Sequence, residues 1–167
     1  MFSLNAPVPA AVGRLATDCA GSLGSARPRP RGEHTLVVKR LGQADPTFDR
    51  LVARVREALR GTPAIECRVA RVDYFETAAT GTSPVVYLAV ESPGLERLHR
   101  DLCTRFDPAP DIEGDAYVPH VTVARGGSVD RAKAIAGPVD PVTWTVEELV
   151  VHDATHGEAA STVRLPA

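Results

Sequence analysis

The sequence predicts an α+β fold in two lobes, with mostly antiparallel sheet and helices outside it. Three observations carry that expectation. Strands and helices interleave through most of the chain, yet it closes on a run of strands, which argues for a mixed, mainly antiparallel sheet over a doubly wound one. Each half offers one β-branched, apolar run bearing a His and a Thr. The 167 residues are one domain by length, and 44% hydrophobic content is ample for its core.

The elements follow from spacing. Phe2 to Ala6 reads as a short strand ended by Pro7, and Pro9 to about Leu23 as a helix with Val12, Leu15, Ala16 and Cys19 at helical spacing. Gly21 to Gly32 is a loop. Within it Arg27-Pro28-Arg29-Pro30-Arg31 is the densest basic stretch, held extended by its prolines, and reads either as a solvated connector or as a guide rail for RNA phosphates. Asp45 or Thr47 caps a helix to about Arg60, with Phe48, Leu51, Val52, Val55 and Leu59 inward. Ile65 to Phe75 and the continuously apolar Val85 to Val90 are strands joined by a turn over Glu76 to Pro84, the second of them central.

Ser92-Pro93-Gly94 opens a helix to about Phe106, with Leu95, Leu98, Leu102 and Cys103 inside and His99 one place off that stripe, read as an exposed or partly packed residue. Asp107 to Ala116 is a loop whose Asp111, Glu113 and Asp115 only loosely suggest a cation site. Gly126-Gly127 follows the second His-Thr run, and Ser128 or Asp130 caps a short helix to about Ala136. Val142 to His152 and Ser161 to Leu165 read as a closing strand pair, with His152 and His156 as surface histidines.

Composition narrows the function. A formal charge of −2 argues against gripping long duplex nucleic acid by charge, while a nucleotide or an RNA end stays compatible. Cys19, Cys67 and Cys103 are an odd, scattered set without metal-ligand spacing, expected to be buried thiols. No leader-like segment and no membrane-spanning run is read, so the expectation is a soluble, cytoplasmic protein, taken to be a monomer.

The chemistry gathers at Tyr117-Val118-Pro119-His120-Val121-Thr122-Val123-Ala124-Arg125. Alternation buries Val121 and Val123 and turns His120 and Thr122 the other way. Same-face neighbours on a strand stand about 6.5–7 Å apart, so these two side chains can share one small anion such as a phosphate. Arg125 is out of phase with His120 on a regular strand and reaches that anion only if the strand ends or twists before it. Upstream, Glu33-His34-Thr35-Leu36-Val37-Val38-Lys39-Arg40-Leu41-Gly42 is the other His-Thr run, which suggests one cleft between two strands.

These two stretches resemble the motifs of the 2H phosphoesterases, in the branch of 2′-5′ RNA ligases and RNA 2′,3′-cyclic phosphodiesterases. His120-Val121-Thr122 after Tyr117-Val118-Pro119 is similar to the family's second His-x-Thr motif without a change. The first motif departs from the pattern. Counted back from Leu41-Gly42, His34 is one residue early and Leu36 stands where a Thr or Ser is expected. Either a bulge at His34-Thr35 restores both side chains to one face, or this lobe has lost its hydroxyl and works with the imidazole alone.

The resemblance implies a pseudo-symmetric fold and opening of RNA or nucleotide 2′,3′-cyclic phosphates to 2′-phosphates, reversible as 2′-5′ ligation. His34 and His120 are then the acid and base, with no metal or other cofactor. Thr122, Thr35 and Arg125 are expected at the phosphate, and Tyr117, Tyr74 and Phe75 are candidates to stack a base. An imidazole titrates near pH 6.5, so two of them can divide proton transfer at neutral pH, each contributing roughly 10²–10⁴-fold. The other reading is an RNA-end or nucleotide-binding module of the same fold with little turnover.

Overall fold

A computed structural model describes residues 1–44 and 47–167. The strands are β1 (Phe2–Pro7), β2 (Arg27–Pro28), β3 (Thr35–Gly42), β4 (Ile65–Phe75), β5 (Val85–Glu91), β6 (His120–Arg125), β7 (Gly137–Val146), β8 (Glu148–Asp153) and β9 (Glu158–Arg164). The helices are α1 (Ala10–Ala20), α2 (Phe48–Leu59), α3 (Pro93–Cys103) and α4 (Val129–Ile135). All described strand pairs are antiparallel, in the order β7-β4-β5-β6-β3-β1-β8-β9, with β2 added beside β6.

That order reads as two halves meeting at the β3–β6 seam, where Leu36 pairs with Val121. Turning one half onto the other matches β3 with β6, β1 with β5, β8 with β4 and β9 with β7. The helices follow suit, since β1-α1-β3-α2 repeats as β5-α3-β6-α4. The α+β class and the two-lobed plan of the sequence reading therefore hold.

Local chemistry explains the elements. The Thr47 hydroxyl accepts from the Arg50 amide to cap α2, and Leu51, Val52, Val55 and Leu59 are buried along its inner stripe. Asp45, the other cap expected for this helix, lies outside the described residues. Ser92 caps α3 by accepting from the Leu95 amide, with Pro93 at the first helical position, and Ser128 caps α4. β5 is buried along nearly its whole length because it lies between β4 and β6.

The run expected as one strand from Val142 to His152 is two. Glu147 separates β7, which pairs with β4 at one end of the sheet, from β8, which pairs with β1 and β9 near the other. β7 tolerates Pro138 and Pro141 because it is an edge strand with one unpaired side. Of the three free thiols only Cys67 is buried, and Cys19 and Cys103 are half-buried. No helix among the described residues is long and apolar enough to cross a membrane.

Candidate active site

β6 has alternating half-buried and buried residues up to Val123, and then a second buried residue, Ala124, before half-buried Arg125. The register explains it. Tyr87 of β5 pairs with Thr122, but Val86 pairs with Ala124, so one extra residue is accommodated in β6. This bulge brings Arg125 back to the face of His120 and Thr122. β3 does the same, because Asn5 pairs with Val37 while Leu4 pairs with Lys39. Its exposure pattern over Thr35 to Arg40 repeats that of His120 to Arg125, residue for residue.

The symmetry about the Leu36–Val121 pair thus sets Thr35 in the place of His120, Val37 in that of Thr122 and Arg40 in that of Arg125. Val37, Arg40, His120 and Arg125 line one cleft, walled by Phe75, Thr77 to Thr80 and the Asp111–Val118 segment. The bulge expected at His34-Thr35 lies instead at Val38-Lys39. It is the imidazole, not only the hydroxyl, that is missing from this lobe's face.

His34 is turned elsewhere. It precedes β3, is buried, and lines a separate cavity beside α1 with Pro9, Ala10, Gly13, Arg14 and Arg31. Its Nε2 is buried and has no hydrogen-bond partner among the described residues. Burial and the Arg29 charge push its pKa down. Two further expectations fail in the same way. The Thr35 hydroxyl donates to the Ala6 carbonyl at 3.3 Å across β1, and Tyr74 packs against the core beside β5 instead of facing the cleft.

The residues that do meet are well fixed. His120 Nδ1 lies 2.7 Å from the Val118 carbonyl, so Nδ1 carries the proton and Nε2 is left as the basic nitrogen. Burial, and behind it the Arg40 and Arg125 charges, lower its pKa despite that hydrogen bond, which keeps the ring neutral at pH 7. Phe75 stacks on Tyr87 at 4.3 Å, and both present themselves to the His120 ring edge-on at 5.5 and 5.3 Å. Arg125 Nη1 donates to the Thr80 carbonyl at 2.8 Å. Burial, Arg29 and Arg40 push its pKa down, and a guanidinium stays charged at neutral pH regardless.

The Asp107–Pro119 segment is clamped to β3 by groups the sequence did not flag. Lys39 is fully buried and its Nζ donates to Glu113 Oε2 at 2.6 Å and to the carbonyls of Arg40 and Asp107. Glu113 Oε1 accepts from the Arg40 amide at 2.6 Å, and Oε2 also accepts from the Ala109 amide. Burial alone would raise the Glu113 carboxyl, but the Ala109 amide, the Lys39 ammonium and the Arg40 amide together hold it below the usual range. Glu113 is therefore committed to this clamp and to the Lys39 ammonium, which leaves neither of its oxygens free for a metal ion.

His99 is buried, not exposed. Its Nδ1 donates to the Val38 carbonyl at 2.7 Å, its Nε2 accepts from the Gly114 amide at 3.0 Å, and its ring stacks on Tyr117 at 3.7 Å. The Tyr117 hydroxyl donates to the Val37 carbonyl at 2.8 Å, so Tyr117 forms the cleft wall with one face already covered. Among the described residues no three His, Cys, Asp or Glu side chains gather as a metal site. His156, read as a surface histidine, is exposed and bonds Asp153 at 2.6 Å.

Two bulged strands meeting at a cleft with an imidazole and two guanidiniums define the class, a two-lobed antiparallel α+β fold with one cleft at its seam. The chain belongs to the 2′-5′ RNA ligase superfamily, whose family model matches residues 35–158. No curated protein sequence matches it. Among solved structures, a Thermus thermophilus protein is similar over 98% of this chain and 97% of its own, at 19% identity and TM-score 0.69. Escherichia coli LigT is similar in its complex with 3′-AMP (17% identity, 99% and 98% covered, TM-score 0.66) and in that with NADP+ (18%, 98% and 93%, 0.65).

Sequence reasoning missed Arg40, which lines the cleft, and Tyr87, which is buried behind it and packs on Phe75 and His120. Arg40 had a signal, for it stands five residues after Thr35 as Arg125 stands five after His120.

Proposed function

We propose that the protein holds the phosphate end of an RNA or nucleotide, a 2′,3′-cyclic phosphate above all, in the His120 cleft, and opens it only slowly to a 2′-phosphate. The observation that carries this reading is that Thr35 occupies the place of a second imidazole. Arg40 and Arg125 supply two charges for the non-bridging oxygens, and in this reading the Thr122 hydroxyl, half-buried on the same face as His120, donates a third contact. The nucleotide complexes of LigT support a nucleotide as ligand.

Ring opening adds water at phosphorus, breaks the bond to the 3′ oxygen and returns a proton to that oxygen. His120 Nε2, neutral at pH 7, accepts the proton of the attacking water. Among the described residues His120 is the one imidazole lining the cleft, so in this reading the 3′ oxygen takes its proton from solvent, and 2′-5′ joining, the reverse path, lacks the same partner. The protein works as a binding module first and a phosphodiesterase second.

Calorimetric titration with a 2′,3′-cyclic nucleotide, alongside turnover in EDTA, tests this. Saturable binding is expected, weakened roughly 10- to 100-fold by Arg125→Ala or Arg40→Ala, since a hydrogen bond to a charged group is worth about 1.5–3 kcal/mol. Turnover should be slow but measurable above the rate without protein, and lost in His120→Ala. Absence of binding, or fast turnover lost in His34→Ala, overturns the reading.

A further inference from the structure

The Arg27–Arg31 stretch plays no part in the cleft chemistry, yet its backbone is fixed against it. Arg27 and Pro28 pair with Arg125 and Ala124, and the Arg29 amide donates to the Val123 carbonyl at 2.8 Å. Directly opposed residues of an antiparallel pair project from the same face. Arg27 therefore stands beside Arg125, itself a wall of the His120 cleft. A like-charged cross-strand pair works against the sheet.

No carboxylate among the described residues pairs with either arginine, although Arg125 Nη1 donates to the Thr80 carbonyl. Among the described residues no ion pair includes Arg27, Arg29, Arg31 or Arg125. Arg29 Nε donates only to the carbonyl of Glu33, at 3.1 Å, and its charge is felt at both Arg125 and His34. Arg31 ends the row beside the His34 cavity. The whole chain carries a formal charge of −2, so this row is a local concentration of positive charge. A line of exposed cations that starts at a cleft for one phosphate suits a ligand bearing more phosphates in a line behind the first. A single strand meets that description, because its backbone can follow one sheet edge while its end enters a narrow cleft.

We propose that Arg27, Arg29 and Arg31 form a subsite for the backbone phosphates of single-stranded RNA whose end lies in the His120 cleft, so that the protein selects an oligonucleotide end over a mononucleotide. This rests on the reading of the cleft as a phosphate-end site.

The test compares binding of a 2′,3′-cyclic mononucleotide with that of a hexanucleotide ending in the same cyclic phosphate, over a salt series. The unmodified protein should prefer the hexanucleotide by tenfold or more. In Arg27→Ala/Arg29→Ala that preference should collapse towards unity and the salt slope should fall by about 1.4, since each phosphate contact on a single strand contributes roughly 0.7. Arg27→Lys/Arg29→Lys, which keeps the charge, should keep the slope. If the mononucleotide binds and the hexanucleotide gains nothing, the subsite is refuted while the cleft reading stands. If neither binds, the cleft reading itself has failed and the subsite falls with it. Equal competition by a hexaglutamate peptide would refute the assignment to RNA.

Discussion

Thr35 and His120 occupy equivalent places. Each is the first residue of its strand, each precedes by one the residue of the Leu36–Val121 seam, and each is followed five residues later by an arginine of the cleft. The fold has kept its two-fold plan and its pair of arginines while one of the two expected proton-transfer positions carries a hydroxyl already bonded to the Ala6 carbonyl.

The pH profile should show it. Two imidazoles of opposite protonation give a bell, whereas a single neutral base gives one limb. With the His120 pKa lowered by burial and by Arg40 and Arg125, the residual opening of a cyclic nucleotide should fall only below about pH 6.5 and stay level from about pH 7 to 9. A falling alkaline limb in the measured kcat/KM would mean that a second protonated group takes part.

The Lys39–Glu113 pair is fully buried, and its partners include the Arg40 amide. Removing one member strands the other charge, which typically costs about 3–5 kcal/mol. Lys39→Met should lower the urea-unfolding free energy by that amount and also weaken cyclic-nucleotide binding, because Arg40 loses its anchored backbone. A change under about 1 kcal/mol would show that the buried pair is not structural.

Stability should depend on pH through the same histidines. His34, His99 and His120 all have pKa values lowered, by burial first in each case. The unfolded chain therefore binds protons at higher pH than the fold does. Stability from these groups is complete above about pH 6.5 and is lost as pH falls through the lowered folded values. Exposed His156, raised by its hydrogen bond to Asp153, acts weakly in the opposite sense. Urea midpoints should drop between about pH 7.5 and 5, and His99→Phe should shrink the drop, because it removes the ring whose Nε2 must stay unprotonated to accept from Gly114.

Much of this was legible in the sequence. The capped helices, the central Val85 to Val90 strand and the His120-Val121-Thr122 face follow from periodicity and caps, which are local. The bulges were not, because an extra residue in β3 or β6 is set by the register of β1 and β5 across from it. That is why Arg125 read as out of phase and Lys39 gave no sign of being buried, its partner lying 74 residues away. The first motif misled for a related reason. His34 is adjacent to the position that matters, and a one-residue offset on a strand exchanges the two faces of the sheet.

The most direct measurement is the rate at which Thr35→His/Val37→Thr opens a 2′,3′-cyclic nucleotide in EDTA, beside the unmodified protein and His34→Ala. If Thr35 stands where a second imidazole would act, the double variant gains roughly 10²–10⁴-fold, the contribution of one positioned acid, and His34→Ala loses nothing. Fast turnover by the unmodified protein that His34→Ala abolishes, with no gain from Thr35→His/Val37→Thr, would contradict it.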